Sequence, residues 1–431
     1  MSDLLAARYQ MAISLGFHII FSAIGIAMPF LMAIAHWRWL RTGKPVYLDL
    51  TKAWSKGVAI FFATGAVSGT VLSFELGLLW PRFMEKAGAV IGMPFSWEGT
   101  AFFLEAIALG LFLYGWKRLP AWVHWGSGLF VGISGVVSGL FVICANGWMN
   151  SPTGFDWVNG QAVNIDPWAA MFNPAAWSEG LHMTIAAFEA TGFAVAGVHA
   201  ILLLKNPGSL LHRHAYRIAL TVAAVAAILQ PLAGDFIAKD VAKRQPLKLA
   251  AMEALFVTSQ PAPLVIGGFP SVKDRTVHFG IEVPRLLSFL ANGDFSSEVK
   301  GLDAFPEENW PRVGIVHLAF DFMVGVGSFL AVLGLGSLLL AWKAERLLVD
   351  PRFLKGVAVA LPLGFLALEA GWIVTEVGRQ PWIIYGIMKT ADAVTPMKGL
   401  IYPMALFSSV YLLLAFLVSW IMIRQFKAVS K

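Results

Sequence analysis

Charge and cysteine are what this chain has least of. Lys, Arg, Asp and Glu together make up 13% of its 431 residues, too few to solvate the surface of a soluble domain or to keep a disordered chain extended. There is one cysteine, Cys144, inside an apolar run, which excludes an intrachain disulfide and any cysteine-held metal cluster. It reads as a small buried hydrophobe. No internal repeat, low-complexity tract or interdomain linker divides the sequence. The first apolar run is too long for a signal peptide and is not followed by a small-residue cleavage site, so it is expected to be a retained helix.

Apolar residues fill the space that charge leaves. The chain is 58% hydrophobic, with 17 Trp and 32 Phe, and runs of about 20 apolar residues are what a helix needs to cross a bilayer core. Nine such runs occur, at roughly 11–36, 57–80, 97–116, 121–145, 177–204, 215–235, 312–342, 354–376 and 399–423. The expected fold is therefore an all-α, polytopic membrane bundle of about nine transmembrane helices, forming a single membrane domain over 1–431. Its longest polar interruption is 236–311. Lys and Arg number five in connection 36–56, two in 117–120, three in 205–217, four in 343–355 and three after Ile423, against none in 146–181. Short basic connections stay in the cytoplasm, so the N-terminus is expected outside and the C-terminus inside. That bias explains the formal net charge of +6 without a nucleic-acid partner.

Ionisable residues inside these runs are expensive, and so informative. The stretch GWIVTEVGRQPW carries Glu376 and Arg379 to the end of an apolar helix, either as an i,i+3 ion pair or as an acid with a metal or proton to handle. His18, in GFHIIFSAIGIAMPF, lies about seven residues in from the outer end, on the order of 10 Å deep. It either hydrogen-bonds a neighbouring helix or offers a neutral imidazole to iron. WEGTAFFLEAIALGLFLYGW sets Glu98 and Glu105 two turns apart on one face, as a proton path needs or as a polar seam would have it. Ser138 and Asn146, around the start of ANGWMNSP, are available to bond protonated acids. WSEGLHMTIAAF offers His182, with Glu189 on the same face left between proton handling and a structural bond. Met323, in HLAFDFMVGVG, is ordinary core filler or a thioether ligand. Glu75 reads as a buried hydrogen-bonding group, and His36, His124, His199, His212 and His214 as packing or solvated residues near cytoplasmic connections. In the connection beginning GDFIAKDVAKRQPLKLAAMEALF, residues Gln245, Pro246, Lys248 and Glu253 belong to an interfacial amphipathic helix or to a ligand site. With alternating topology, His18, Glu98, His182, Met323 and Glu376 all fall in the outer half, in one layer.

Taken in order, these phrases resemble subunit I of cytochrome bd-type quinol oxidases over nearly the whole chain, the GRQPW core most closely. The resemblance implies a subunit that oxidises quinol at the outer face of a bacterial or archaeal cytoplasmic membrane and reduces O2 to water. It implies a low-spin haem b held by His182 and Met323, and a close pair formed by a high-spin haem b and a haem d or further haem b. That pair is served by His18, Glu376 and, as a further candidate iron ligand, Glu98. Trp372 and Arg379 accompany it, and the acids of the Glu98/Glu105 motif supply protons. Gln245, Lys248 and Glu253 resemble the quinol-oxidising segment, in a connection short enough for the short-loop branch. Asp321 departs from the family, where a basic residue is expected two before the methionine. The implied partners are a second membrane subunit, a small single-helix subunit, quinol, O2 and the lipid bilayer. Two other classes stay open: a quinone-linked haem protein without O2 reduction, and an ion-coupled transporter, since buried acids and prolines also mark transport paths.

Overall fold

A computed structural model describes residues 1–429. Among the described residues, nine helices are long and apolar enough to cross a membrane: α1 (Asp3–Thr42), α2 (Pro45–Leu79), α3 (Pro81–Tyr114), α4 (Ala121–Asn150), α6 (Ala176–Lys205), α7 (Leu210–Arg244), α10 (Val313–Lys343), α11 (Pro351–Gly378) and α13 (Ile401–Val429). Short helices α5 (Pro167–Met171), α8 (Pro246–Met252), α9 (Leu286–Asn292) and α12 (Thr390–Ala393) lie in the connections. Four two-stranded antiparallel sheets lie there too, one of which, pairing 264–266 with 281–283, encloses another. The expected spans are all present, but the helices outrun the apolar windows. The clearest case is α3, read from residue 97 but starting at Pro81. Its first turns carry Arg82, Glu85 and Lys86, charges that end a hydropathy window without ending a helix. Likewise α7 continues through the polar residues 236–244, so the non-helical connection begins at Gln245.

Close packing of small residues draws α6, α7 and α11 together. A Cβ added to Gly192 would meet Ala223 of α7 at 2.9 Å, and one on Gly364 would meet Ala190 of α6 at 2.5 Å. Only glycine lets these backbones approach so closely, as in other membrane helix pairs. One apolar cluster, including Leu31, Met32, Leu50, Phe112, Phe193, Tyr216 and Val357, fills one end of the bundle. A second, around Leu79, Phe83, Trp148 and Ile384, closes the other. The backbone N–H of Leu400 donates to Asp3 at 2.9 Å, so α13 begins beside the start of α1 and ends at the opposite end of the bundle. The N–H groups of Thr395 and Tyr385 bond the carbonyls of Leu79 and Met149. The ends of α2 and α4 therefore share that end, toward which Glu376, Asn146 and Asn150 lie, while His36, His124 and His199 lie against Phe112 and Trp54 of the first cluster at the opposite end.

Candidate functional site

Glu376 sits on the last turn of α11, where Gly378 and Arg379 end the helix. Its carboxylate forms an ion pair with Arg379 and also accepts from Asn146 Nδ2 at 2.7 Å, a residue the sequence offered to acids without saying which. Arg379 is 2% exposed, yet its Nε and Nη1 have no partner. Buried guanidinium groups left with free donors are suited to a further anion. Arg244, paired with Asp240 at 3.1 Å, has a buried unpartnered Nη1 as well.

From Glu376 the hydrogen bonds continue into the connection after α7. Asn150 Nδ2 donates to the backbone and side-chain oxygens of Asn146, both at 3.1 Å. Asn150 Oδ1 accepts from Lys248 Nζ at 2.8 Å, and Gln245 Nε2 donates to the Asn150 carbonyl at 2.9 Å. Gln245, Lys248 and Glu253 are all buried, so α8 packs on every side and is no amphipathic surface helix. Burial lowers the Lys248 ammonium below its ordinary value, opposed by the charge of Glu179. Burial, reinforced by Asp321, pushes the Glu253 carboxyl up to about 8. Asp321 itself reaches His317 at 3.3 Å, and that ring is held by the Met252 carbonyl at 2.8 Å.

His18 is held by two hydroxyls. Ser68 Oγ lies 2.9 Å from Nδ1 and Ser22 Oγ 2.9 Å from Nε2, and each hydroxyl also has a backbone carbonyl in reach, those of Thr64 and His18, so the surroundings accommodate either tautomer of the ring. Gly69 makes room, since a Cβ there would stand 3.0 Å from the ring. Successive residues of α11 then face two ways: a Cβ on Gly371 would be 2.8 Å from the Met323 sulfur, while Trp372 packs at Gly16 of α1. His182 faces Gln230 of α7, whose Nε2 lies 3.2 Å from the ring Nε2. On α3, Glu98 accepts from Ser138 at 3.2 Å. Glu105, 7% exposed, lies in a notch at Gly135, where a Cβ would stand 3.6 Å from both its oxygens.

The structure thus joins Glu376, Arg379, Lys248 and Gln245 in one network, and leaves His18, His182, Met323 and the Glu98/Glu105 pair in separate surroundings. Gln230, Ser22, Ser68, Asn150, Glu179 and Glu369 escaped the sequence reading. Glu179 lies among the charges of Lys248, Arg379, Arg244 and Glu376. Glu369 places an oxygen 3.3 Å from a Cβ on Gly16. A stricter rule, taking every acidic or amide side chain within an apolar run, finds Glu179, Gln230 and Glu369; Ser22 and Ser68 carry no signal of that kind.

These residues fit haem. Among the described residues no three His, Cys, Asp or Glu side chains converge as a bare ion requires. The donors stand singly, which suits an iron that brings its own porphyrin nitrogens. His18, His182, Met323 and Glu376 are only partly covered by the chain's own atoms, and the free donors of Arg379 and Arg244 suit porphyrin carboxylates.

The family model for cytochrome bd terminal oxidase subunit I matches residues 6–430. The chain belongs to that family. A Bacillus subtilis protein provisionally named cytochrome bd menaquinol oxidase subunit I is 34% identical over 99% of this chain and 97% of its own length. The cytochrome bd ubiquinol oxidase subunit 1 of the same organism is 33% identical over 99% and 94%. The solved bd oxidase of Geobacillus thermodenitrificans superposes with a TM-score of 0.94 at 36% identity, covering 99% of each chain. As a cytochrome bd subunit I, this chain is a haem-containing part of a terminal quinol:O2 oxidoreductase. It works with a subunit II and spans a bacterial inner membrane many times. The transporter reading falls away, as does that of a haem protein without O2 reduction.

Proposed function

We propose that His182 and Met323 hold a low-spin haem b, and that His18 and Glu376 serve a high-spin pair made of a haem b and a haem d or further haem b, with Glu98 close by. Arg379 and Arg244 bind porphyrin carboxylates, and Trp372 stands between α11 and α1. Bound haem supplies one-electron transfer and an open iron position for O2; the protein sets spacing, charge and access. The observation that carries this reading is the setting of His18, a half-covered imidazole held at both ring nitrogens by hydroxyls alone, Ser68 at Nδ1 and Ser22 at Nε2, so that one hydroxyl can orient the ring while the other nitrogen is offered to an iron. Glu376 meets its site as an anion fixed by Asn146 and Arg379.

Quinol gives up its electrons and protons at the connection between α7 and α10, read in the sequence as 236–311 and beginning in the structure at Gln245, where Lys248 and Gln245 hold its oxygens and Glu253 accepts a proton. Whether the substrate is a menaquinol or a ubiquinol, as in the names of the two Bacillus relatives, the same donors serve. This connection faces outside and the C-terminus faces the cytoplasm, in line with the basic connections at the other end. A small single-helix subunit joins the complex. Protons for water formation come from the cytoplasm through Glu105 and Glu98, so turnover separates charge. Each proton moved across about 100 mV stores about 2.3 kcal/mol.

Pyridine haemochromogen spectra with an oxygen electrode test the cofactor assignment: three haems per complex and quinol-driven O2 uptake are expected. Met323→Leu should retain the high-spin bands and lose the sharp low-spin b signal. An unchanged reduced-minus-oxidised spectrum removes Met323 from the iron.

A further inference from the structure

We propose that Asn150 is a positioning residue that couples the quinol-binding segment to Glu376, so that a charge or ligand at Lys248 changes the electrostatics of the high-spin site. The proposal rests on the quinol and haem assignments above but adds a link that neither contains. Three parts of the fold, α4, the turn before α8 and α8 itself, meet at this 2% exposed side chain. The Asn150 oxygen accepts from Lys248 at 2.8 Å and from Gln245 at 3.3 Å. Its amide nitrogen donates to Asn146 Oδ1 at 3.1 Å, and the Asn146 amide nitrogen donates to Glu376 at 2.7 Å. The two amides are therefore in series, each accepting at its oxygen and donating at its nitrogen.

Such a series polarises along its length. A cation at the first oxygen makes each successive N–H a stronger donor, and the effect is not screened where water is excluded. At the far end the stronger donor stabilises the Glu376 carboxylate. No proton travels along this path, since a neutral amide does not relay one; what passes is orientation and partial charge. The packing of α11 adds a mechanical link, because a Cβ on Gly378 would stand 2.9 Å from Lys248 Cγ, which leaves the lysine stem lying directly on the turn between Glu376 and Arg379. Coupling of this kind is reciprocal. A quinol that engages Lys248 should shift the high-spin haem potential, and the state of Glu376 should shift quinol affinity.

The test is a double-mutant cycle on the intact oxidase with Lys248→Met, Asn150→Leu and both together. Two quantities are read: the high-spin midpoint potential, titrated without quinol or O2, and the quinol KM against kcat. Lys248→Met should move the potential and raise KM about fivefold, the low end of ordinary coupling. In the Asn150→Leu background, Lys248→Met should no longer move the potential. Asn150→Asp keeps the acceptor facing Lys248 and loses the donor facing Asn146, so it should uncouple the potential while retaining haem, which covers the case of a misfolded leucine variant. A raised KM with an unmoved potential, or shifts that simply add, overturns the coupling. An unchanged KM with a potential that moves through Asn150 supports the coupling and overturns the quinol assignment instead.

Discussion

Glu376 and Glu105 are both acids on membrane helices, and the bundle treats them in opposite ways. Glu376 is tied to Asn146 and Arg379, and through Asn150 to α8. Glu105 has no hydrogen-bond partner among the described residues, and lies in a notch made by the missing side chain of Gly135. Its neighbour Glu98 has one bond, to Ser138 at 3.2 Å. A carboxylate that must hold a fixed charge beside an iron gains from bonds that prevent it from turning. A carboxyl that must take a proton from one side and release it to the other gains from having few. The contrast supports the proposed division, in which the rigid acid serves the redox site and the loose pair delivers protons.

Two substitutions of Glu376 probe the rigid side and should have the largest effects. Glu376→Gln keeps an acceptor for Asn146 but removes the anion, and should lower O2 reduction on the order of 100-fold with loss of high-spin haem. Glu376→Ala should in addition lose about 3–5 kcal/mol of stability, because it leaves Arg379 buried without its partner. Full turnover in Glu376→Gln would reduce the residue to a helix-end ion pair.

Lys248→Ala with Glu253→Ala should lower quinol oxidation about tenfold or more, while an artificial donor still drives O2 uptake. Equal loss with both donors would move the defect to the haems.

The smallest effect is a pH profile. Glu253 is held protonated up to about 8 and can accept a quinol proton only once ionised, so quinol oxidation should rise through that range. Glu253→Gln should flatten the limb. The linked stability has a fixed direction: a carboxyl raised above its unfolded value favours the fold fully below about pH 4, and this contribution is lost as pH rises through about 8. The connection around Glu253 should therefore exchange its amide hydrogens faster in alkali in the parent than in the glutamine variant.

Most of the fold could be read in the sequence, because hydrocarbon allows few backbone solutions and the length of each apolar run reveals them. Helix ends could not, since residues such as Arg82 and Lys86 leave the hydropathy window but remain in α3. At the site, Glu376, Glu98, His18 and His182 stood out because polar groups in apolar runs are costly, and Ser138 and Asn146 were expected to bond acids, but that those acids are Glu98 and Glu376 came only from the structure. Asn150 did not stand out. It sits in a polar loop-like phrase, and its importance comes from long-range contacts, 95 residues away to Gln245, which no local pattern carries. Asp321, where the resemblance led to the expectation of a basic residue, lies 3.3 Å from His317, one turn away on the same helix.

The contrast between the two acids is tested most directly by Glu105→Gln in sealed proteoliposomes, with haem reduction, O2 uptake and membrane potential followed together. Quinol should reduce the haems at nearly the parent rate, while O2 uptake and the inside-negative potential fall about 100-fold, the scale of a lost proton-transfer group. Full O2 uptake with full potential in that variant would contradict the assignment of Glu105 to proton delivery.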